Sequence, residues 1–142
     1  MTPAEVIALQ ASLADEDAAM WAYGVLSPRA GSRHRLGWRS YTAHRQLRDT
    51  LTGYLVEAKV PPVAAAPGYQ IPFALTSPAD AAAFARRVED ACGNSYTRLV
   101  GATDAQDLRE LAIGALAGCA RRRVGWGGAP QTFPGLPNVS VR

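Results

Sequence analysis

A proline-rich stretch in the middle of the chain constrains the fold more than any other feature. Residues 60–76 contain four prolines and a glycine and show no helical period, so they predict a connector without regular structure. Ordered connectors of this length are uncommon inside a small domain. At up to about 3.3 Å per residue, this one could reach about 55 Å, more than the roughly 40 Å length of a long helix. We therefore expect it to cross a helical bundle from end to end, with three side chains covering the bundle's flank: Tyr69, Ile71 and Phe73.

Two long amphipathic segments precede the connector. The first, at about residues 3–26, begins with Thr2 and Glu5 in the spacing of a capping box and with Pro3 at the first helical position. The second, at about residues 33–59, follows after a short turn. A turn this short makes the two helices an antiparallel hairpin.

Two further helical segments follow the connector, at about residues 78–102 and 104–124. The run Ser77-Pro78-Ala79-Asp80 repeats the pattern of cap, proline and acid at the start of the first of them. The last helix is apolar over a wide arc, so we expect it to be the most buried of the four. A tail over residues 125–142 carries aromatic residues that we expect to anchor it on the bundle, Trp126 and Phe133.

Length and composition agree with one helical domain. A chain of 142 residues buries enough surface for a single core. Apolar residues make up 48%, but aromatic residues only 8%, and much of the remainder is alanine, which favours packed helices over a β-sandwich. The predicted fold is all-α: a four-helix bundle formed by a hairpin, a long crossover, a second hairpin and an ordered tail. Neither a signal peptide nor a membrane-spanning run is visible, so we expect a cytoplasmic protein.

Polar residues interrupt the inward stripes of three helices at mid-bundle. Glu16 and His44 lie about equally far from the first turn on neighbouring antiparallel helices, so they are expected to meet. Glu89 lies at a similar height on the third helix, and Tyr41 and Arg48 extend the polar set by one turn in each direction. Unpaired buried charges cost several kcal/mol, so these residues predict a buried network. In it, Glu16 accepts a hydrogen bond from His44 or Arg48, and Glu89 takes the remaining donor.

Four short segments occur in a recognisable order along the chain. They are Ala22-Tyr23-Gly24-Val25, Ala43-His44-Arg45 with Arg48-Asp49, Ile71-Pro72-Phe73, and Phe133-Pro134-Gly135-Leu136-Pro137. In this order the chain resembles the actinobacterial ferritin-like family of unknown function. The resemblance covers nearly the whole chain and implies a ferritin-like four-helix bundle.

The same resemblance bears on metal binding. Di-iron members of the wider ferritin-like group place a glutamate on two helices and a Glu-x-x-His motif on the other two. Glu16 and Glu89 match the two single glutamates. Tyr41 stands where a glutamate belongs before His44, and the fourth helix offers no ligand around residues 116–118. We therefore expect no complete dinuclear site and no bound cofactor.

Two functions of different class remain open from these residues. The first is a non-enzymatic interaction or scaffold protein with a degenerate metal site, in which an alanine-rich helix face offers a homodimer contact. The second is a protein that binds iron or another divalent metal, or an oxidoreductase remnant, with Glu16, His44 and Glu89 as ligands. The two cysteines lack metal-site spacing and are expected to be buried free thiols.

Arginines form two groups that suggest a third function. One group surrounds the first turn and the other ends the last helix: Arg29, Arg33, Arg35, Arg39, Arg121, Arg122 and Arg123. In a crossover topology both groups lie at the same end of the bundle, where they could bind nucleic acid or another anion. Against this, arginines also suit helix C-termini and solvated faces, and we find no aromatic residues interleaved with them.

Overall fold

The structure, a computed structural model, describes residues 1–136 and consists of four long helices. They are α1 (Pro3–Leu26), α2 (His34–Glu57), α3 (Pro78–Ala102) and α4 (Gln106–Gly125). Two single 3₁₀ turns, Ser27–Arg29 and Gly31–Arg33, join α1 to α2. The described residues contain no strand, so the predicted all-α four-helix bundle is confirmed. None of the helices in this range is long and apolar enough to cross a membrane.

The two strongest helix starts are those with a capping box. The Thr2 hydroxyl accepts from the Glu5 amide while the Glu5 carboxylate accepts from the Thr2 amide, and Ser77 and Asp80 repeat this exchange at α3. The helices α2 and α4 start without a side-chain cap. Just before α4, the Thr103 hydroxyl donates to the Glu5 carboxylate at 2.7 Å and ties the end of α3 to the start of α1.

The helix ends show how the chain crosses the bundle. The start of α1 meets the end of α3, and the start of α2 meets the end of α4, where the Leu36 side chain packs against Gly125. The helix α1 packs along both α2 and α3, whereas α4 packs along α3 and barely touches α2. The prediction that the last helix is the most buried is therefore wrong. On the outer side of α4, 51% of the surface of Ile113 and 44% of that of Val124 are exposed.

The connector and the tail cover only part of the bundle. In the connector, the Tyr69 ring lies 5.7 Å from that of Trp21, and Phe73 packs on α3, but Ile71 remains 42% exposed. In the tail, Trp126 is fully buried, whereas Phe133 is 63% exposed and is not the anchor that the sequence predicted. The rest of the predicted tail, residues 137–142, lies outside the described residues.

A close approach of α1 and α2 depends on Gly37. A Cβ atom at this buried position would overlap the Ser27 side chain and lie 3.1 Å from the Ser27 Cα. We expect Gly37→Ala to lower the free energy of unfolding by about 1–3 kcal/mol because α2 must move away. The matched control on the same helix is Gly53→Ala, where the added Cβ meets nothing and should raise stability by up to about 1 kcal/mol. Urea denaturation of both variants measures the difference, and an equal effect of the two substitutions would contradict the packing argument.

Candidate functional site

One side chain from each of the four helices meets at the centre of the bundle. Glu16 comes from α1, His44 from α2, Glu89 from α3 and Arg122 from α4. The first three are 0%, 0% and 1% exposed. They lie between two apolar clusters, one toward each end of the bundle. The helical bundle thus holds a polar centre in which the two glutamates and the histidine are shielded from solvent, while the Arg122 side chain is 16% exposed.

The imidazole of His44 bridges the two carboxylates. Its Nδ1 lies 2.6 Å from Glu16 Oε2 and its Nε2 lies 3.1 Å from Glu89 Oε1. Each nitrogen faces a carboxylate oxygen, and a carboxylate can only accept, so both nitrogens carry a proton and donate. The imidazole is therefore a cation with both of its polar atoms occupied.

Further donors complete the network, which we define as Glu16, Tyr23, His44, Glu89, Tyr96 and Arg122. The Tyr96 hydroxyl donates to Glu16 Oε1 at 2.6 Å, and the Tyr23 hydroxyl donates to Glu89 Oε1 at 2.5 Å. Arg122 Nε donates to the same Glu89 oxygen at 2.9 Å. The Tyr23 ring also stacks on the His44 ring, with the centroids 5.3 Å apart. Two carboxylates and two cations make the network neutral overall.

Electrostatics in the network favour the charged forms. Burial alone would lower the pKa of His44, but the hydrogen bonds and charges of the two glutamates outweigh it and raise this pKa to about 9. For Glu89, burial would raise the pKa, but His44, Arg122 and Tyr23 hold it below its ordinary value. Burial raises the pKa of the Tyr23 hydroxyl well above its ordinary value, and the neighbouring Glu89 charge adds to this, so it remains a donor. At neutral pH the ion pairs are thus fully formed.

The two cysteines are buried free thiols beside this network. Cys119 accepts a hydrogen bond from Arg122 Nη2 at 3.4 Å. The Cys92 sulfur, one oxygen of Glu16 and one nitrogen of His44 all lie within 4.8 Å of one another. Burial raises the pKa of both thiols well above its ordinary value, so neither is a thiolate at neutral pH.

One acceptor of the network has no partner among the described residues. Glu89 Oε2 is buried and accepts no hydrogen bond there, while Oε1 accepts three. A cavity of about 10 Å³ is lined by Glu89, Gly93 and Cys119, together with residues of α4 and the tail. This is about the smallest volume that holds one water molecule, and such a water could donate to a buried carboxylate.

Two of the residues that the sequence placed in the network lie elsewhere. Tyr41 is half-buried against the exposed Trp38 ring, 5.9 Å away, and Arg48 pairs with its neighbour Asp49 at 2.7 Å. Both lie on the side of α2 that faces a surface cleft rather than the centre. Their places are taken by residues from α1, α3 and α4, namely Tyr23, Tyr96 and Arg122.

The arginines of the predicted anion site also divide. Arg122 belongs to the network, and Arg123 pairs with Asp90 at 2.7 Å. Arg29 donates to the carbonyl of Val25 at the end of α1. No acidic partner within the described residues pairs with the other four, which are all exposed: Arg33, Arg35, Arg39 and Arg121.

Comparison with known proteins places this bundle in a family. The model of the family described as Domain of unknown function (DUF4439) matches residues 8–138. The chain belongs to the DUF4439 family. The bundle is also similar to the crystal structure of a conserved hypothetical protein, Rv2844, from Mycobacterium tuberculosis, with a TM-score of 0.85 and 30% identity over 89% of this chain and 97% of that chain. Among curated proteins, none matches the chain. The family match and the similar crystal structure thus show the family and the fold, and neither assigns a function.

Proposed function

We propose that this protein is a non-enzymatic, ferritin-like helical scaffold in which a buried ion-pair network occupies the place of a metal centre. The topology supports the first part, since a hairpin, a full-length crossover and a second hairpin are the order of helices in ferritin-like bundles. One observation carries the second part. Both ring nitrogens of His44 donate to carboxylates, so the imidazole has no lone pair to offer a metal.

The residues do not fit a dinuclear metal centre. Such a centre needs carboxylate and imidazole ligands from all four helices around two cations. Here α4 contributes Arg122, a permanent cation. Its Nε donates a hydrogen bond to the Glu89 oxygen that a metal would need. The unpartnered oxygen of Glu89 is a single acceptor beside room for about one water. The guanidinium and the imidazolium therefore supply the positive charge that two metal ions would supply elsewhere.

A second function, a metal-binding protein or oxidoreductase remnant, has one observation in its favour. The three candidate ligand atoms on Glu16, His44 and Cys92 lie close enough together for one divalent cation such as iron. Binding would require the Cys92 thiol and the His44 imidazolium each to lose a proton at a site that raises both pKa values. It would also break the hydrogen bond that the metal-binding nitrogen of His44 makes to a glutamate. These costs favour the scaffold.

Metal analysis separates the two functions. We expect protein purified without chelator to contain well below one equivalent of any transition metal, and titration with ferrous iron in air to give no oxidase activity. The reason is that the network is charge-balanced before any metal arrives. Elemental analysis and the absorbance of ferric products measure this. Stoichiometric iron that is oxidised in air, and that Cys92→Ser abolishes without unfolding the protein, would replace the scaffold by the metal-binding function.

The scaffold proposal includes a contact between two copies of this chain. The outer side of α4, which α2 barely touches, combines the exposed Ile113 with the small residues Gly114 and Ala117. Small residues allow two helices to approach closely, so this side fits a second α4 in a symmetric dimer. Light scattering of the wild type and of Ile113→Asp tests this contact without disturbing the buried network.

A further inference from the structure

Positive charge is concentrated in one short part of the chain. Residues 27–48 contain six arginines and no acidic residue. The chain as a whole has a net charge of +3, so the remaining residues carry nine basic and twelve acidic side chains, a net charge of −3. A general preference for arginine would spread the charge along the chain. Four of these six arginines, Arg29, Arg33, Arg35 and Arg39, lie around the start of α2, which begins beside the end of α4, so this end of the molecule is cationic.

The start of α2 is electrostatically unfavourable as it stands. A helix N-terminus carries a partial positive charge and is stabilised by acids. The helices α1 and α3 follow this rule with Glu5 and Asp80, but α2 has no acid in its first turn and no side-chain cap. It begins instead among basic residues, with Arg33 and Arg35 on either side of His34. A sequence that departs from a local rule in this way often does so at a functional site.

An exposed tryptophan lies among these arginines. Trp38 is 45% exposed and points outward from α2, one turn after Arg35 and directly before Arg39. The Tyr41 ring meets it at 71° with the centroids 5.9 Å apart. The absence of interleaved aromatic residues, assumed from the sequence, is therefore wrong. We call this surface the arginine–tryptophan face and define it as Arg33, Arg35, Trp38 and Arg39.

We propose that the arginine–tryptophan face binds single-stranded nucleic acid, with the guanidinium groups on phosphates and one base stacked on Trp38. Arginine has the donor geometry for phosphate oxygens, and an aromatic ring stacks on any base. In duplex DNA the bases are already stacked on one another and their faces are not available to Trp38. A membrane surface would require a larger apolar area than one indole ring provides. This activity is independent of the buried network and goes beyond the scaffold function.

The test uses a fluorescein-labelled oligothymidylate of about 15 nucleotides, a length that covers a site of the usual size for single strands. Fluorescence anisotropy should show binding near 50 mM salt that weakens with a slope of about −2 in log K against log salt, as expected when the three arginines each contact one phosphate of a single strand. Trp38→Ala should weaken binding about 5- to 150-fold, the usual effect of losing one stacked base, and Trp38→Phe should restore most of it. The double substitution Arg35→Glu with Arg39→Glu should weaken it further.

Two matched controls lie away from the face. Phe133→Ala removes an exposed aromatic ring of the tail, and Lys59→Glu reverses a positive charge at the opposite end of the bundle. Both should bind like the wild type. Three outcomes would overturn the proposal: no binding at low salt, equal binding by Trp38→Ala and the wild type, or binding to phosphatidylserine vesicles without binding to the oligonucleotide. Circular dichroism of each variant establishes that it is folded.

Discussion

The substitution His44→Ala is expected to lower the free energy of unfolding at pH 7 by about 3–5 kcal/mol, the usual cost of removing one partner from a buried ion pair. Without the imidazolium, Glu16 and Glu89 face each other across the space that the ring filled, and Glu89 keeps Arg122 while Glu16 keeps only the hydroxyl of Tyr96. A small domain is stable by about 5–15 kcal/mol in total. The variant should therefore unfold at a much lower urea concentration, or fail to fold at 37 °C.

Two variants show whether the loss comes from the charges. His34→Ala, the matched control, removes the other histidine, which is exposed at the start of α2, and should change stability by less than about 0.5 kcal/mol. The double variant His44→Ala with Glu16→Gln removes one of the stranded charges and should be more stable than His44→Ala alone. Two results would contradict a stabilising role of the buried ion pairs. In the first, neither His44→Ala nor His34→Ala changes the free energy of unfolding appreciably. In the second, adding Glu16→Gln to His44→Ala lowers the free energy of unfolding further.

The helices could be predicted because their signals are local. Capping residues such as Thr2 and Ser77, an inward stripe and a proline-rich connector each act within a few residues of the chain. The meeting of Glu16 with His44 also needed only local information, since equal distances from a short turn place two residues at equal heights in an antiparallel hairpin. A contact that depends only on the geometry of the hairpin could therefore be predicted from the spacing of residues along the chain.

Contacts between distant helices could not be predicted in this way. Arg122 looked like one of a run of surface arginines, and only the packing of α4 on α3 brings its Nε to Glu89. Tyr41 and Arg48 looked suitable because they lie one turn from His44, but the rotation of α2 directs them to the outside. A rotation of one helix by a fraction of a turn decides which polar residues reach the centre, and single-sequence periodicity does not fix it.

Surface chemistry was partly visible and partly hidden. The acid-free run of residues 27–48 is plain in the sequence, but which of its arginines remain without acidic partners is not. Arg48 pairs with Asp49 and Arg29 donates to a backbone carbonyl, whereas the arginines around Trp38 have no such partners among the described residues. Side-chain pairing therefore separates the arginines that already have partners within the chain from those that remain available to an anion.

The protein is also expected to lose stability as the pH rises from about 6.5 to about 9. The pKa of His44 is about 9 in the folded state and about 6.5 in an unfolded chain. Between these values the unfolded state releases the proton while the folded state keeps it, so the unfolded state binds fewer protons and stability falls with pH. The contribution is fully present below about pH 6.5. With about 1.4 kcal/mol for each pKa unit, the loss amounts to roughly 3 kcal/mol.

Urea denaturation at several pH values from 6 to 9 measures this loss, and His44→Ala provides the reference. The titratable groups that lie beside His44 are Glu16, Tyr23, Glu89 and Cys92, and Tyr96, Cys119 and Arg122 are linked to it through the two glutamates or through each other. The tyrosines and cysteines have raised pKa values and keep their protons in the folded state. Unfolded thiols begin to ionise near the upper limit and lower stability in both proteins. The difference between the wild type and His44→Ala therefore isolates His44, and a difference that stays constant up to pH 9 would mean that the imidazole is neutral in the folded protein.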